Sequence, residues 1–391
     1  MKILAVSHSR IWPVRSGSAI RRMMILEALA NAGQVDLAYV GEVGGWAEWV
    51  PPTAPVRSVR EIAVRRIRPN LIARLGWMVW PARPLQLVEW ERPPRLSTYG
   101  DYDVIWYFRP VTLQLAGGIP ARRVIVDLDD LEDAKLAQAG DLRGRRRSWN
   151  GRVAEKLNAG AWRRCQERIA RQVDAVTVAN VADRTAFGAG NCYLVPNGFP
   201  DVPFATAPGA SLRILLVGQF EYDPNADAAE YFVREIFPGI RTSRPDAIVR
   251  LVGRAPPRVR RLAGNGVEVV GEVDDLAAEY AGASVAVSPV RYGSGTRVKI
   301  LEAFARGVPV VSTPVGAAGI DAVHGREILL AEDPASFASA CVALMSDPEA
   351  RRVLSAGARS LYEQRYGQEA VTSAVHRVLR AVGLLSTPAP S

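Results

Sequence analysis

The stretch from Ser288 to Gly319, SPVRYGSGTRVKILEAFARGVPVVSTPVGAAG, constrains this chain more than any other. A glycine loop (Gly293, Ser294, Gly295) leads into a helical segment from Val298 to Arg306. Gly307 stops that helix, and an apolar run, Val308 to Val311, follows. Loop, helix, glycine stop and buried strand in that order make half of a doubly wound α/β unit. The charge at the helix start is unusual. Arg297 and Lys299 fall where the macrodipole disfavours cations by roughly 0.3–1 kcal/mol each, and a helix that only packs would carry Asp or Glu there. Backbone N–H groups, two cations and a glycine lip form a site for an anion, best suited to a diphosphate. Gly295 and Thr296 belong to that lip, and Glu302, one turn beyond Lys299, is placed to accept two hydrogen bonds from a ribose diol. The competing reading pairs Lys299 with Glu302 on one helix face and leaves Arg297 solvated. Neither a Walker lysine motif nor a full GxGxxG is present.

The same alternation runs through the chain. Ile3 to Val6 is a strand, His8 to Ser18 a polar loop with Gly17, Ile20 to Ala32 a helix ending at Gly33, and Val35 to Val40 a second strand. Ligands of such sheets bind beyond the carboxyl ends of the strands, which makes Gly17 a candidate for close backbone approach or a simple turn residue. Asp103 to Phe108 and Val124 to Asp127 are further strands, the second running into Asp127, Asp129 and Asp130. Carboxylates so placed bind sugar hydroxyls, accept a proton, or cap the next helix, and Asp129 is the expected functional member. A basic helix, Trp149 to Gln172, and strands at Ala175 to Val178 and Tyr193 to Val195 end this half before the turn Pro196-Asn197-Gly198.

A Pro- and Ala-rich stretch between Pro200 and Ala210 reads as a linker. A second series follows: strands at Leu212–Val217, Ile248–Val252, Val267–Val270, Val285–Ser288 and Val308–Val311, with Gly218 after the first and Asn225 expected as the N-cap of a helix from Ala226. Three helices between Pro334 and Val382 precede a frayed tail. The expected organisation is therefore two Rossmann-like doubly wound domains, 1–205 and 206–365, facing a central cleft. A C-terminal helix and tail, 366–391, is expected to pack back on the first domain.

Composition narrows the class. In 391 residues with a net charge of +9, arginines concentrate in the first half, between Arg57 and Arg95 and at Arg143, Arg145, Arg146 and Arg147. That excess favours an anionic partner: nucleic acid, an acidic membrane surface or a phosphorylated substrate. Residues 44–100 show no sustained period. Trp77, Trp80 and nearby arginines there suit either a headgroup boundary or an insertion packed on its own domain. No apolar run nears the roughly 20 residues of a spanning helix, and MKILAVSHSR reads as a first strand rather than a signal peptide. Three widely separated cysteines and three scattered histidines fit a reducing cytoplasm without a disulfide frame or metal site.

The segments VGQFEYDPNADAAEYFVREIFPGI, GEVDDLAAEYAGASVAVSPVRYGSGTRVKILEAFARGVPVVSTPVGAAGID and VPNG together resemble the family 4 retaining glycosyltransferases of the GT-B fold, continuously from Leu212 to Asp321. The Gly17 loop with Arg21, and VDLDD, resemble the same family more weakly. The resemblance implies a nucleotide-diphosphate sugar held mainly by the second half and a glycan or lipid-linked acceptor held mainly by the first. It also implies cell-surface polysaccharide or glycoconjugate synthesis, at a cytoplasmic location peripheral to the inner membrane face. Glu302 matches the second glutamate of the family's Glu-x7-Glu motif, while Ser294 stands where the first would be. The family's Arg and Lys after the first strand of that half appear as Gln219 and Asn225, so Arg297 and Lys299 take over the diphosphate and help catalysis. Asp129 occupies the place of a family histidine near the donor sugar. No metal or other cofactor is expected, because fixed cations replace it and Asp127-Leu128-Asp129 lies in the wrong context for a metal-binding DxD. Alternatives are a sugar-nucleotide epimerase of the same fold and a non-catalytic sugar-nucleotide or glycan-binding protein. Nucleic-acid binding lacks an aromatic-basic motif.

Overall fold

A computed structural model describes residues 1–42, 44–66, 84, 101–134, 149–204, 212–293 and 295–386. Ser294, Trp77, Trp80, the arginines at 143 and 145–147, the domain join at 205/206 with most of the expected linker, and the tail from 387 onward lie outside these residues. The chain divides into two compact units, Met1–Asn197 with Gln368–Ser391, and Gly198–Gly367.

The first unit is built on strands β1 (Lys2–Ser7), β2 (Gln34–Gly41), β3 (Ser58–Ala63), β4 (Tyr102–Phe108), β5 (Ala121–Asp129), β6 (Ala175–Val178) and β7 (Cys192–Leu194). Its helices are α1 (Gly17–Ala30), α2 (Pro110–Ala116), α3 (Trp149–Gln172) and α4 (Val181–Phe187). The strands run parallel in the order β3-β2-β1-β4-β5-β6-β7. Both faces of the sheet are covered, so the central strands β1 and β4 are almost wholly apolar. Ile3, Ala5, Leu37 and Trp106 face one core, while Leu4, Val6, Ala38 and Ile105 face the other. Successive residues thus enter opposite cores, the two-residue period of a strand. Ser16 caps α1 by accepting a hydrogen bond from the Ala19 N–H at 3.2 Å, so the helix begins at Gly17, earlier than expected.

The second unit carries β8 (Arg213–Val217), α5 (Asp223–Tyr231), α6 (Phe237–Ser243), β9 (Ile248–Val252), β10 (Val267–Gly271), β11 (Val285–Ser288), α7 (Val298–Arg306), β12 (Val310–Ser312), β13 (Leu329–Leu330), α8 (Pro334–Ser346) and α9 (Pro348–Arg365). Its parallel sheet has the order β10-β9-β8-β11-β12-β13. α10 (Gln368–Ala381) then rejoins the first unit, where Val371, Val375, Val378 and Leu379 enter the core shared with α1. Among the described residues no helix is long and apolar enough to cross a membrane.

Each strand order reverses once, between β1 and β4 in the first unit and between β8 and β11 in the second. Loops leaving the carboxyl ends of two such strands diverge to opposite faces and open a crevice, where open α/β sheets hold their ligands. The fold therefore offers one crevice in each unit.

Candidate functional site

In the second unit the crevice lies between Gly218, which follows β8, and the segment after β11 that leads to α7. Gly218 donates its N–H to the Val252 carbonyl at 3.0 Å, and its lack of a side chain matters. A carbon added there would stand 3.0 Å from Lys299 Nζ and 3.2 Å from the Asn225 amide carbon. Gly253 supports this arrangement at φ +134°, and any side chain on it would collide with the Gly218 carbonyl.

Asn225 is not an N-cap. α5 begins at Asp223 with Tyr222 as its cap residue, because Pro224 in the first turn starts the helix earlier. This frees the Asn225 amide, whose Nδ2 donates to the Gln219 carbonyl and whose Oδ1 accepts from Lys299 Nζ, both at 3.0 Å. Lys299 on α7 thus delivers its ammonium to the start of α5, where the resemblance had led to a lysine at 225. The pairing of Lys299 with Glu302 is not formed. Lys299 keeps some exposure as a residue, but protein atoms enclose its ammonium. Desolvation, aided by the like charge of Arg297, brings its pKa down to about 7.

Arg297 is the cap residue of α7, with no side-chain cap hydrogen bond. Its guanidinium folds back to donate to the Gly295 carbonyl at 3.0 Å and the Gly293 carbonyl at 2.6 Å, so it fastens the glycine loop rather than lying solvated. The buried Thr296 hydroxyl beside it meets no partner among the described residues. Glu302 is 7% exposed and paired with Arg306 at 3.1 Å. Burial outweighs that ion pair and lifts its carboxyl to about 7. Tyr280, buried beneath, donates its hydroxyl to the Lys299 carbonyl at 3.3 Å. Sequence reasoning missed Gly253, Tyr280 and Arg306. Gly253 was signalled by its place directly after a strand, whereas the other two act through tertiary contacts.

The first unit's crevice gathers groups from β1, β4, β5 and α1. Gly17, the first residue of α1, holds the helix start, and one turn on Arg21 is 2% exposed. Arg21 makes a two-pronged ion pair with Asp127, Nε to Oδ2 at 2.9 Å and Nη2 to Oδ1 at 2.6 Å. It also donates to the Val195 carbonyl at 2.9 Å and to Asn197 Oδ1 at 3.2 Å, which ties PNG to VDLDD. Asp127 accepts a further hydrogen bond from Thr177 at 2.7 Å, so its carboxylate is consumed structurally. Asp129 lies 3.5 Å from Arg21 Nε and ends β5 in a left-handed conformation, φ 63°. Arg109, just after β4, has φ 75° and pairs with Glu132 at 2.6 Å. Non-glycine residues strained in this way on adjacent strand ends are a mark of functional sites. His8 and Arg22 complete the group. Sequence reading passed over His8, Arg22 and Arg109 because each stands in a loop or helix with no periodic signal of its own.

Residues 211–347 match the family model described as glycosyl transferases group 1. A phosphatidyl-myo-inositol mannosyltransferase of Mycobacterium leprae (strain TN) is 27% identical over 238 residues, 57% of this chain and 62% of that protein. An uncharacterized 44.6 kDa protein in the cps region of Klebsiella pneumoniae is 22% identical over 175 residues, 42% of this chain and 45% of that one. The matched region thus spans about half the length of these curated relatives. Among solved structures, sucrose-phosphate synthase from Thermosynechococcus elongatus superposes with a TM-score of 0.68 at 20% identity, covering 97% of this chain and 98% of that one. Anabaena HepE in complex with UDP and glucose gives 0.63 at 14% identity, covering 97% and 100%. Residues 211–347, within the second unit, are thus similar to glycosyl transferases group 1, and the chain shares its fold of two parallel α/β sheets with GT-B glycosyltransferase structures.

Proposed function

We propose that the protein is a retaining glycosyltransferase that moves a sugar from a nucleotide-diphosphate donor to a glycan or lipid-linked acceptor in cell-surface glycoconjugate synthesis. The observation that carries this reading is the ammonium of Lys299, delivered across the β8/β11 crevice to Asn225 above the bare backbone of Gly218. A diphosphate there meets Lys299, the Arg297-fastened loop of Gly295 and Thr296, and the N–H groups opening α7. An anion among two mutually repelling cations stabilises both, which gives α7 a reason for carrying them at its amino end. Glu302 takes the ribose diol, and Gly218, Gln219 and Asn225 line the opposite wall. HepE, crystallised with UDP and glucose, supports a nucleotide sugar as the donor.

In the reaction the bond from the anomeric carbon to the diphosphate breaks, and the acceptor oxygen bonds to that carbon on the same face. The acceptor proton passes to the departing phosphate oxygen. The residues of this chain supply fixed positive charge for the leaving group, in the place a metal takes elsewhere. A thermal-shift screen of UDP, GDP, ADP and their sugars tests the reading, since a ligand of the folded form raises the midpoint. At least one nucleotide must stabilise the wild type and fail to stabilise Lys299→Met. Indifference to all of them overturns the proposal.

A further inference from the structure

Helix α7, which carries Lys299 and Glu302 near its amino end, is held at its other end by a residue that plays no part in the transferase reading. The stop at Gly307 leaves one carbonyl over. The N–H groups of Gly307 and Val308 serve the carbonyls of Ala303 and Phe304, but the residue four on from Ala305 is Pro309, which has no N–H to give. Ala305 is fully buried, so its carbonyl needs a donor from elsewhere. Arg359 supplies it: from α9, which packs along α7, its Nη1 donates to the Ala305 carbonyl at 2.6 Å. The same guanidinium pairs through Nε with Glu363 at 2.6 Å. It also stands over two aromatic rings, 5.1 Å from the centroid of Tyr362 and 5.6 Å from that of Phe204.

Phe204 belongs to the strap 198–204, the first stretch of the second unit. The strap is fastened to the end of α9. Phe199 donates its N–H to the Tyr366 carbonyl at 3.0 Å, and the Tyr362 hydroxyl lies 3.0 Å from the Phe199 carbonyl and 2.8 Å from Asp201 Oδ1. Arg359 Nη1 also lies 3.5 Å from the Val202 carbonyl, so one side chain touches both the strap and the last turn of α7. With nine residues, α7 is too short to be ordered by its own backbone bonds, and its order depends on what holds its ends. Arg297 and Lys299 oppose the dipole at the amino end, whereas Arg359 sits with the dipole at the carboxyl end. An anion at the amino end removes the opposition, orders the helix and fixes the carbonyl that Arg359 holds. We propose that Arg359 is a positioning residue of the donor site, which couples nucleotide binding at the amino end of α7 to the ordering of the strap 198–204 on α9. This rests on the transferase reading for the anion being a nucleotide. The coupling is reciprocal: a fixed strap favours the nucleotide by the factor with which the nucleotide favours the strap.

The test uses the full chain with UDP, GDP and ADP as probes. Hydrogen–deuterium exchange is read on peptides covering 198–204 and 298–306, and affinity by calorimetry. The nucleotide that raises the thermal midpoint must slow exchange in both segments of the wild type, by about fivefold or more. Arg359→Met keeps the apolar stem but no donor. It should lose the slowing at 198–204 and bind the nucleotide about fivefold more weakly, while Arg359→Lys, which keeps a charged donor, should fall between. Phe204→Ala, at a side chain 37% exposed, should diminish the strap response in the same direction. A purely structural Arg359 gives a different result: Arg359→Met melts earlier, yet its affinity and its slowing at 198–204 match the wild type. That result overturns the proposal, as does slowing confined to 298–306, and the wild-type exchange decides even where Arg359→Met does not fold. Failure of all three nucleotides to bind the wild type sinks the transferase reading and this coupling together, whereas binding with a silent strap sinks only the coupling.

Discussion

Lys299 and Gly253 are the residues on which the second site turns, and they fail in different ways when changed. Lys299→Met removes a charge-assisted contact worth about 1.5–3 kcal/mol, so nucleoside diphosphate affinity should fall roughly 10–100-fold by calorimetry. The fold should survive, because no buried countercharge is left behind: the partner of Lys299 is the neutral amide of Asn225. Gly253→Ala is the opposite case, placing a side chain at φ +134° against the Gly218 carbonyl. It should lower stability by several kcal/mol in denaturant unfolding and take nucleotide binding with it. Arg21→Leu strands Asp127, whose Oδ1 and Oδ2 face that guanidinium. It should cost about 3–5 kcal/mol, and Arg21→Leu with Asp127→Leu should recover much of this. At this scale the sequence revealed residue types better than residue partners. The cations of α7 and Glu302 could be found from spacing, but the hold of Asn225 on Lys299 joins residues far apart in the chain. Its signal exists only after β8 and β11 have paired.

Among the elements, α7 carries two groups whose ionisation is disfavoured by burial, and their effects on stability run in opposite directions. Glu302 titrates near 4.5 when unfolded and about 7 when folded. The folded state therefore binds more protons across that window, and stability falls as pH rises through it. Lys299 titrates at about 7 folded and 10.5 unfolded. Above pH 7 the unfolded state binds more protons, so stability rises again. The urea midpoint should pass through a minimum near pH 7, absent from Lys299→Met/Glu302→Gln. A diphosphate that keeps Lys299 protonated should make nucleotide binding take up a proton above pH 7, seen as a dependence of calorimetric heat on buffer ionisation. Most strands and most helices, to within a few residues, were legible from apolar runs punctuated by glycine, but β3, in the stretch without a sustained period, and the two-residue β13 were not. The start of α5 was not, because Asp223-Pro224 begins the helix before the asparagine that looked like its cap. The strained turns at Arg109 and Asp129 were also hidden, since nothing in the residue types announces a positive φ.

At the level of the whole molecule, the first unit is made from two separated pieces of chain, with α10 returning to α1 after the second unit is complete. The contribution of α10 can be measured by ending the chain after Gly367. Losing Val371, Val375, Val378 and Leu379 from the core removes burial worth roughly 1.5–3 kcal/mol per side chain. Calorimetry should then show the transition of the first unit shifted far down or lost, while the residues of the second unit keep theirs. The same discontinuity governs how the protein is born. On the ribosome the first sheet emerges early, yet the apolar flank of α1 waits for its cover until the whole second unit and α10 have been made. The later-made unit can finish before the earlier one, and the nascent chain meanwhile offers chaperones a surface that the mature protein never shows.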